Sequence, residues 1–347
     1  MYFKYIDKIN KDLKRTKKAV ISLGCSFVEG QGAVDQDLYE SYDWHMDKTG
    51  IPMAPKLDSN AKKQLVKDYP ELELKGDQID WTNMEYKNSF VNVLCKKYLK
   101  KEYTPINFGL RGRGNRASIR SLYLWPDIDW HHAKEIIVIY MPSGQERFDL
   151  ANDEFNEHGQ FHCMWPHYRD QPSGSKRTLW QGYAEAVYSE KSAVLEQIGN
   201  VIELKNWCIA NDAKLIITPG FDKNYTKEKF NLILQDYSVR DGGQNITYYQ
   251  SASDSKAAVE KLKANRHEGH LETLKKLVDQ WPWDKMFYPD GCETFMDLCL
   301  KKEGIFNKGF WDYNGKGTKN HWVTVCCHPS AKAHDLYAKL LGEHINA

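Results

Sequence analysis

Residues 17–32, KKAVISLGCSFVEGQG, contain a short apolar run that ends in a glycine and is followed closely by a serine. The run, residues 19–23, includes β-branched side chains and follows two lysines, a pattern typical of a buried parallel strand. Gly24 allows a tight turn after the strand, because glycine adopts backbone conformations that other residues avoid. Ligands of open α/β sheets bind beyond the carboxyl ends of the strands. We therefore expect Ser26 to lie at the site of the chemistry.

The turn after this strand differs from two common functional turns. It lacks the G-x-S-x-G pattern of the α/β-hydrolases, and no Gly-Lys-Ser/Thr follows, as it would in a P-loop. It resembles the first block of the SGNH (GDSL-type) hydrolases, in which a strand ends in Gly-Asp-Ser and the serine is the nucleophile. Cys25 replaces the middle residue here, and the segment GCSFVEG resembles SGNH-like proteins predicted in bacteriophages. The resemblance implies a three-layer, flavodoxin-like α/β fold of the SGNH-hydrolase type, with Ser26 as the nucleophile.

A second block of similarity begins at the strand predicted over residues 104–108, which runs into the turn GLRGRGN. The second strand of SGNH proteins likewise runs into a turn of the form N-x-G-x-x-G. The resemblance implies that Gly112 lends its backbone N–H to an oxyanion hole, with Gly109 and Gly114 as alternatives, because a Cβ would obstruct the approach of backbone donors. Asn115 ends the turn and is a further candidate for binding the substrate. A phosphate-binding nest in this turn stays an open alternative.

The clearest strand pattern in the chain covers residues 134–140, KEIIVIY. In SGNH hydrolases the turn after the third strand carries an asparagine whose amide completes the oxyanion hole. The corresponding segment here is MPSGQERF, and the phage-type relatives also have a Ser/Thr turn followed by Glu-Arg-Phe. We expect Ser143 or Gln145 to donate the hydrogen bond in place of the asparagine.

The third block is His-Pro-Ser at residues 328–330, which opens a helix predicted at the end of the chain. SGNH hydrolases place their catalytic histidine in such a loop, which implies that His328 is the general base. His334 lies on the helix and is expected to pack against the sheet.

The acid that orients the histidine in the family is missing from its usual place. An aspartate normally lies two or three residues before the histidine, whereas Val325 and Cys326 stand there in this chain. Either the site is a Ser–His dyad, or a remote acid orients the ring, with Asp312 placed before Asp297. A main-chain carbonyl is the remaining alternative.

Strands alternate with helical patterns along the chain, which predicts a parallel, doubly wound sheet. A fourth strand is predicted at 214–220, and helices are predicted at 88–101, 117–125, 183–211, 255–262 and 271–280. We predict one SGNH-like domain over residues 1–347, with insertions at about 33–86 and 151–181 and an irregular region at about 222–322. Connections this long are usually functional, so we interpret the first insertion as a lid or a segment facing the substrate.

The second insertion contains the pattern H-x3-H-C-x3-H, formed by His158, His162, Cys163 and His167. Two histidines four residues apart would share a metal ion only on a helix. The segment lacks helical periodicity and contains Gly159 and Pro166, so structural or surface histidines are favoured over a zinc site. We predict no metal and no cofactor.

Residues 5–18 are rich in basic side chains, and the helix predicted at 88–101 also has a basic carboxyl end. A phosphate-binding arm is one interpretation of residues 5–18. A solvated helix face before the first strand is favoured.

The composition is that of a soluble globular protein, with 347 residues, 41% hydrophobic and 27% charged residues. A net charge of +1 provides no general attraction to nucleic acid or membranes, so neither is predicted as a partner. The 11 Trp and 20 Tyr favour a mixed, sugar-like ligand surface. The chain starts without a signal peptide, and its eight cysteines are too irregular for a disulfide scaffold. We expect a cytoplasmic or virion-associated protein of unknown oligomeric state.

Two functions from different classes follow from these patterns. The first is a serine esterase or deacetylase that acts on a small-molecule or carbohydrate ester through an acyl-enzyme on Ser26. The second is a non-catalytic binding or virion-associated protein that keeps the SGNH scaffold but has lost the asparagine and the acid.

Overall fold

A computed structural model describes residues 6–45, 54–112, 114–124, 127–145, 147–156, 159–164, 189–235, 268–305 and 317–347. The strands are β1 (Lys18–Gly24), β2 (Trp44–His45), β3 (Ala54–Pro55), β4 (Glu73–Lys75), β5 (Gln78–Asp80), β6 (Thr104–Asn107), β7 (Glu135–Met141), β8 (Phe148–Asn156), β9 (Gly159–Met164) and β10 (Ala213–Ile217). The helices are α1 (Ile6–Thr16), α2 (Ser26–Glu29), α3 (Gln36–Ser41), α4 (Ser59–Asp68), α5 (Thr82–Asn88), α6 (Phe90–Val93), α7 (Asn115–Leu124), α8 (Glu190–Ala210), α9 (Lys227–Gln235), α10 (Glu268–Val278), α11 (Phe295–Glu303) and α12 (Ala331–Asn346). A π-helical turn, Leu94–Tyr98, continues α6.

The central sheet has four parallel strands in the order β6-β1-β7-β10. The second strand of the sheet therefore lies on one side of the first, and the third and fourth lie on the other, which is the order of flavodoxin-like doubly wound sheets. The chain reverses its direction of winding between β1 and β7, and such a switch point opens a crevice at the carboxyl ends of the strands. The prediction of an α/β protein with these four parallel strands is confirmed.

Helices cover both faces of the sheet, so the fold has three layers. Alternate residues of β1 face opposite sides, because side chains alternate along a strand. Ile21 and Leu23 join an apolar core with α1, α7, α8, α9 and α10. Val20 joins a second core with α2, α6, α11 and α12. Both faces of β1 are therefore removed from water, which explains its continuous apolar sequence.

The first insertion, predicted at about 33–86, contains short helices and two small hairpins, β2-β3 and β4-β5. Its aromatic side chains form a third apolar cluster in which Tyr39, Trp44 and Trp81 lie in contact. Val325 and Cys326 belong to the same cluster. The insertion therefore packs against the loop that precedes the last helix.

The second insertion, predicted at about 151–181, begins within an antiparallel hairpin of β8 and β9. His162 and Cys163 lie on β9, so this part of the histidine-rich pattern is extended and not helical. His158 and His167 lie outside the described residues, as does the helix predicted at 255–262.

The region predicted to be irregular, about 222–322, includes α9, α10 and α11 in its described part. Met286 makes a single parallel bridge with Ile217, and the N–H of Phe287 donates to the carbonyl of Ile217 at 2.7 Å. A short segment thus occupies the position of a fifth strand beside β10. Among the described residues, no helix is long and apolar enough to cross a membrane.

Candidate active site

Ser26 lies at the carboxyl end of β1, at the first residue of the short helix α2. The turn before it requires a glycine: Gly24 has φ +157°, and a Cβ there would lie 2.6 Å from the carbonyl oxygen of Met141. Only 6% of Ser26 is exposed. The serine hydroxyl is thus placed at the switch point of the sheet, largely shielded from water.

His328 is brought to Ser26 by the loop before α12, although 302 residues separate the two in the chain. Its Nε2 lies 2.7 Å from the Oγ of Ser26. Its Nδ1 lies 2.6 Å from the main-chain oxygen of Cys326. A carbonyl oxygen only accepts hydrogen bonds, so Nδ1 carries the proton of the neutral ring and Nε2 is left to accept from the hydroxyl.

The pKa of His328 is lowered to about 3, mainly by burial and also by the positive charges of Arg111 and Arg147, while the hydrogen bond to Cys326 acts in the opposite direction. The ring also packs on Phe27, with 5.2 Å between the ring centroids. His328 is therefore uncharged at neutral pH. A neutral imidazole in contact with a serine hydroxyl has the geometry of a general base next to a nucleophile.

The loop that carries His328 is held from two directions. The hydroxyl of Thr324 donates to the carbonyl of His328 at 3.0 Å, so the loop closes on itself. The backbone N–H of Val325 donates to the phenol oxygen of Tyr39 at 3.1 Å. Cys327 has φ +61°, an uncommon conformation for a residue with a side chain. Sequence reasoning missed Tyr39, which lies 286 residues before its partner.

An ionic cluster of two buried carboxylates, Glu29 and Glu85, and the half-buried Arg111 connects three parts of the site. Arg111 donates through its backbone N–H and Nε to Glu29, at 2.9 and 3.2 Å, and through Nη2 to Glu85. The other oxygen of Glu85 accepts from the backbone N–H of Gly32 at 2.8 Å. Ion pairs of Arg111 therefore connect the glycine turn to the helix of Ser26 and to the first insertion. Glu29 and Arg111 stand within the segments that we singled out, but neither was assigned a role.

The pKa of Glu29 is raised to about 7. Burial is the main cause, and Glu85 raises it further, while Arg111 opposes both. One guanidinium therefore compensates two buried carboxylates incompletely, which leaves Glu29 only partly ionised near neutral pH.

The glycine turn after β6 packs directly against α2. A Cβ on Gly109 would lie 2.3 Å from the backbone nitrogen of Glu29, so no other residue fits there. The side chain of Asn107 accepts from the N–H of Gly109 and donates to the carbonyl of Val28, both at 2.8 Å. Gly112 follows with φ +70°, a conformation that favours glycine.

The predicted donors after β7 contact one another. Asn115 accepts from the N–H of Ser143 at 2.7 Å and donates to its carbonyl at 3.2 Å, and the hydroxyl of Ser143 also donates to Asn115. Gln145 donates through its side chain to the carbonyl of Asn224 at 3.4 Å. In the hydrogen bonds described for Asn115, Ser143 and Gln145, the partners are neighbouring turns, not Ser26 or His328. Asn115 thus holds the turn after β7 to the start of α7.

Of the two carboxylates predicted as alternatives for orienting His328, the structure describes only that of Asp297. Asp297 is buried and pairs with the Nζ of Lys223 at 2.7 Å. Asp312 lies outside the described residues. The acceptor that the structure places at Nδ1 is the carbonyl of Cys326.

One group of metal-type ligands is present in the described part of the chain. Asp129, His131 and His132 have ligand atoms within 4.8 Å of one another. The carboxylate of Asp129 pairs with both histidines, at 2.9 and 3.2 Å. The group precedes β7 and so lies at the end of the sheet opposite Ser26.

A solved structure is similar to this chain at low sequence identity. It is described by the words "The active site of a carbohydrate esterase displays divergent catalytic and non-catalytic binding functions". The similarity covers 95% of this chain and 68% of that one, with a TM-score of 0.38 and 13% sequence identity. No protein-family model and no curated protein match the chain. The fold and the site define an α/β protein in which a buried serine and a half-buried histidine are hydrogen-bonded at the carboxyl edge of a parallel sheet.

Proposed function

We propose that this chain is a serine hydrolase of the SGNH type that cleaves an ester, with a carbohydrate ester as the favoured substrate. The observation that carries the proposal is the arrangement around one imidazole. Nε2 of His328 contacts the hydroxyl of Ser26 at 2.7 Å, while Nδ1 is fixed by a carbonyl at 2.6 Å. A packing histidine has no need of both contacts, whereas a general base requires them.

In the acylation step, Oγ of Ser26 attacks the ester carbonyl carbon as its proton passes to Nε2 of His328. The C–O bond of the ester then breaks, and the departing alcohol oxygen takes the proton from Nε2. The acyl group is left on Ser26. In the second step, water gives a proton to Nε2 and attacks the acyl carbon. The bond between that carbon and Oγ then breaks, Oγ takes the proton back from Nε2, and the carboxylic acid leaves.

The developing oxyanion requires donors close to Ser26. We assign this role to the backbone N–H groups of Ser26 and Gly112. Support comes from the close packing of the glycine turn on α2 at Gly109 and from the contact of Arg111 with Glu29. Ser143 and Gln145 remain the candidates for a third donor, and Asn115 positions their turn.

A fluorophosphonate probe tests the proposal, because it reacts only with an activated serine. The wild-type chain should be labelled at Ser26, and Ser26→Ala and His328→Ala should each abolish labelling. Ser41→Ala is the matched control, since the Ser41 hydroxyl bonds to the Asp37 carbonyl, in α3. Each variant should keep the circular dichroism spectrum of the wild type.

Labelling that persists in Ser26→Ala would contradict the assignment of the nucleophile. An intact wild-type chain that is not labelled, yet binds carbohydrate esters, would instead support the non-catalytic binding protein. Within the described residues, the acceptor at Nδ1 of His328 is a carbonyl and not a carboxylate, and this observation favours that second candidate.

A further inference from the structure

A groove with a volume of about 520 Å³ lies beside β6, the edge strand of the sheet. It is formed by α1, by the chain from the end of α5 into the π-helical turn, and by the segment leading into β6. Thr104 and Pro105, which begin β6, line it. The glycine turn follows the other end of the same strand, so the groove lies away from the edge that carries Ser26.

We propose that this groove binds a small phosphate-bearing ligand of nucleotide size. The first support is its charge. The lining includes five cationic side chains and a single carboxylate, Asp12, whereas the whole chain is almost neutral with 48 basic and 47 acidic residues. The cations are Lys8, Arg15, Lys87, Lys96 and Lys101. A cleft lined by one sign of charge concentrates ligands of the opposite sign.

The second support is the pairing of these cations. Arg15 pairs with Asp12 at 3.1 Å, and Lys87 pairs with Glu71. Across the described ranges, no ion pair includes Lys8, Lys96 or Lys101. These three ammonium groups are exposed and come from α1, the π-helical turn and the segment leading into β6, which converge on one groove. Lysine is a common phosphate ligand because its ammonium is a compact point charge.

The third support is the surface between the charges. Tyr86 and Tyr103 are half-buried in the walls, and Ile9 and Cys95 lie buried beneath them. The hydroxyl of Tyr103 donates to Glu135, which fixes the ring. Aromatic walls beside a cationic rim suit a ligand with a planar or sugar body and a phosphate group. The volume lies in the range of small-molecule sites, about 300–1,000 Å³.

Fluorescence anisotropy with a methylanthraniloyl-labelled ADP probe tests the proposal at low salt. The wild-type chain should bind it saturably. The triple variant Lys8→Glu/Lys96→Glu/Lys101→Glu should weaken binding by about tenfold or more. The matched control is Lys63→Glu/Lys67→Glu/Lys275→Glu, which makes the same change in net charge at exposed lysines outside the groove and should bind as the wild type does.

Competition separates recognition from general charge attraction. Pyrophosphate should displace the probe, and sulfate at matched ionic strength should not. The proposal fails if binding is not saturable, if both triple variants weaken it equally, or if sulfate competes as well as pyrophosphate. It fails too if an oligonucleotide of about 20 bases binds far more tightly than the probe, since that indicates a polymer surface. Ser26→Ala should bind normally, so the result is independent of the proposed hydrolase.

Discussion

His328 is oriented by a peptide carbonyl where serine hydrolases commonly use a carboxylate. The carbonyl fixes the tautomer as well as a carboxylate does, because both accept the Nδ1 proton. It carries only a dipole, however, and stabilises the imidazolium formed during catalysis less than a full negative charge would. We therefore expect a working base with modest turnover.

Replacement of Asp312 distinguishes the Cys326 carbonyl from a remote carboxylate as the group that orients His328. If the Cys326 carbonyl orients His328, Asp312→Asn should leave kcat on p-nitrophenyl acetate nearly unchanged. His328→Ala should lower kcat by about 10²–10⁴-fold, the usual contribution of a general base. An Asp312→Asn variant as slow as His328→Ala would show that Asp312 is the orienting acid.

The pH profile should reflect the lowered pKa of His328. The ring accepts a proton from Ser26 only while Nε2 is free, and its pKa of about 3 keeps Nε2 free well below neutral pH. As pH falls, kcat/KM should therefore hold through the ordinary histidine range near 6.5. Rates measured from pH 8 to 5, with circular dichroism to confirm folding, test this. A half-maximal loss near pH 6.5 would mean that the ring is far better solvated than the structure indicates.

At the scale of elements, the first insertion supports the loop that carries His328. Tyr39 stacks on Trp44, with 5.1 Å between their rings, and the indole N–H of Trp44 donates to the carbonyl of Tyr39 at 2.6 Å. The phenol is thereby held rigidly under the N–H of Val325. We interpret the insertion as a brace for the loop that carries His328.

Tyr39→Phe tests the brace, because it removes only the oxygen that accepts from Val325. The buried N–H would lose its partner, at a cost of about 1–3 kcal/mol, and the loop would shift. We expect kcat to fall by roughly tenfold while KM changes little, since misplacing a catalytic group affects the chemical step. Tyr42→Phe, at an exposed tyrosine just after α3, is the control. Equal kcat values for the two variants would rule out the brace.

The four central strands are predictable because each is a short β-branched run. Ser26 and His328 also stand out in the sequence. Ser26 comes just after the end of a predicted strand, and His328 comes just before the start of a predicted helix. The acceptor at Nδ1 is not predictable, because every residue has a carbonyl and only the conformation of the loop brings that of Cys326 to the ring. Tyr39 is equally hidden, since its contact with Val325 depends on the packing of aromatic side chains from distant segments.

Over the whole molecule, the three apolar clusters share elements, which should make unfolding cooperative. The cluster of the first insertion includes Val325 and Cys326, and the neighbouring Cys327 belongs to the second core, which also contains Val20. Opening one cluster would therefore expose part of another.

Urea unfolding followed by tryptophan fluorescence and by far-ultraviolet circular dichroism should give a single shared midpoint. Trp44→Ala removes a buried ring from the insertion and should lower the free energy of unfolding by about 3–5 kcal/mol. The single transition should move to lower urea concentration as a whole. Two separate midpoints, or a Trp44→Ala variant that changes only one of two transitions, would show that the insertion folds on its own.

The distance of 302 residues between Ser26 and His328 also has a consequence for the newly made chain. A ribosome adds about 5–20 residues per second, so roughly 15–60 s pass between the synthesis of the hydroxyl and that of the imidazole. During that interval Ser26 has no base beside it. A chain that is released before His328 has been added would never acquire one. Under the proposed mechanism, Ser26 therefore becomes reactive only after the last loop has been made, and incomplete chains should not attack esters.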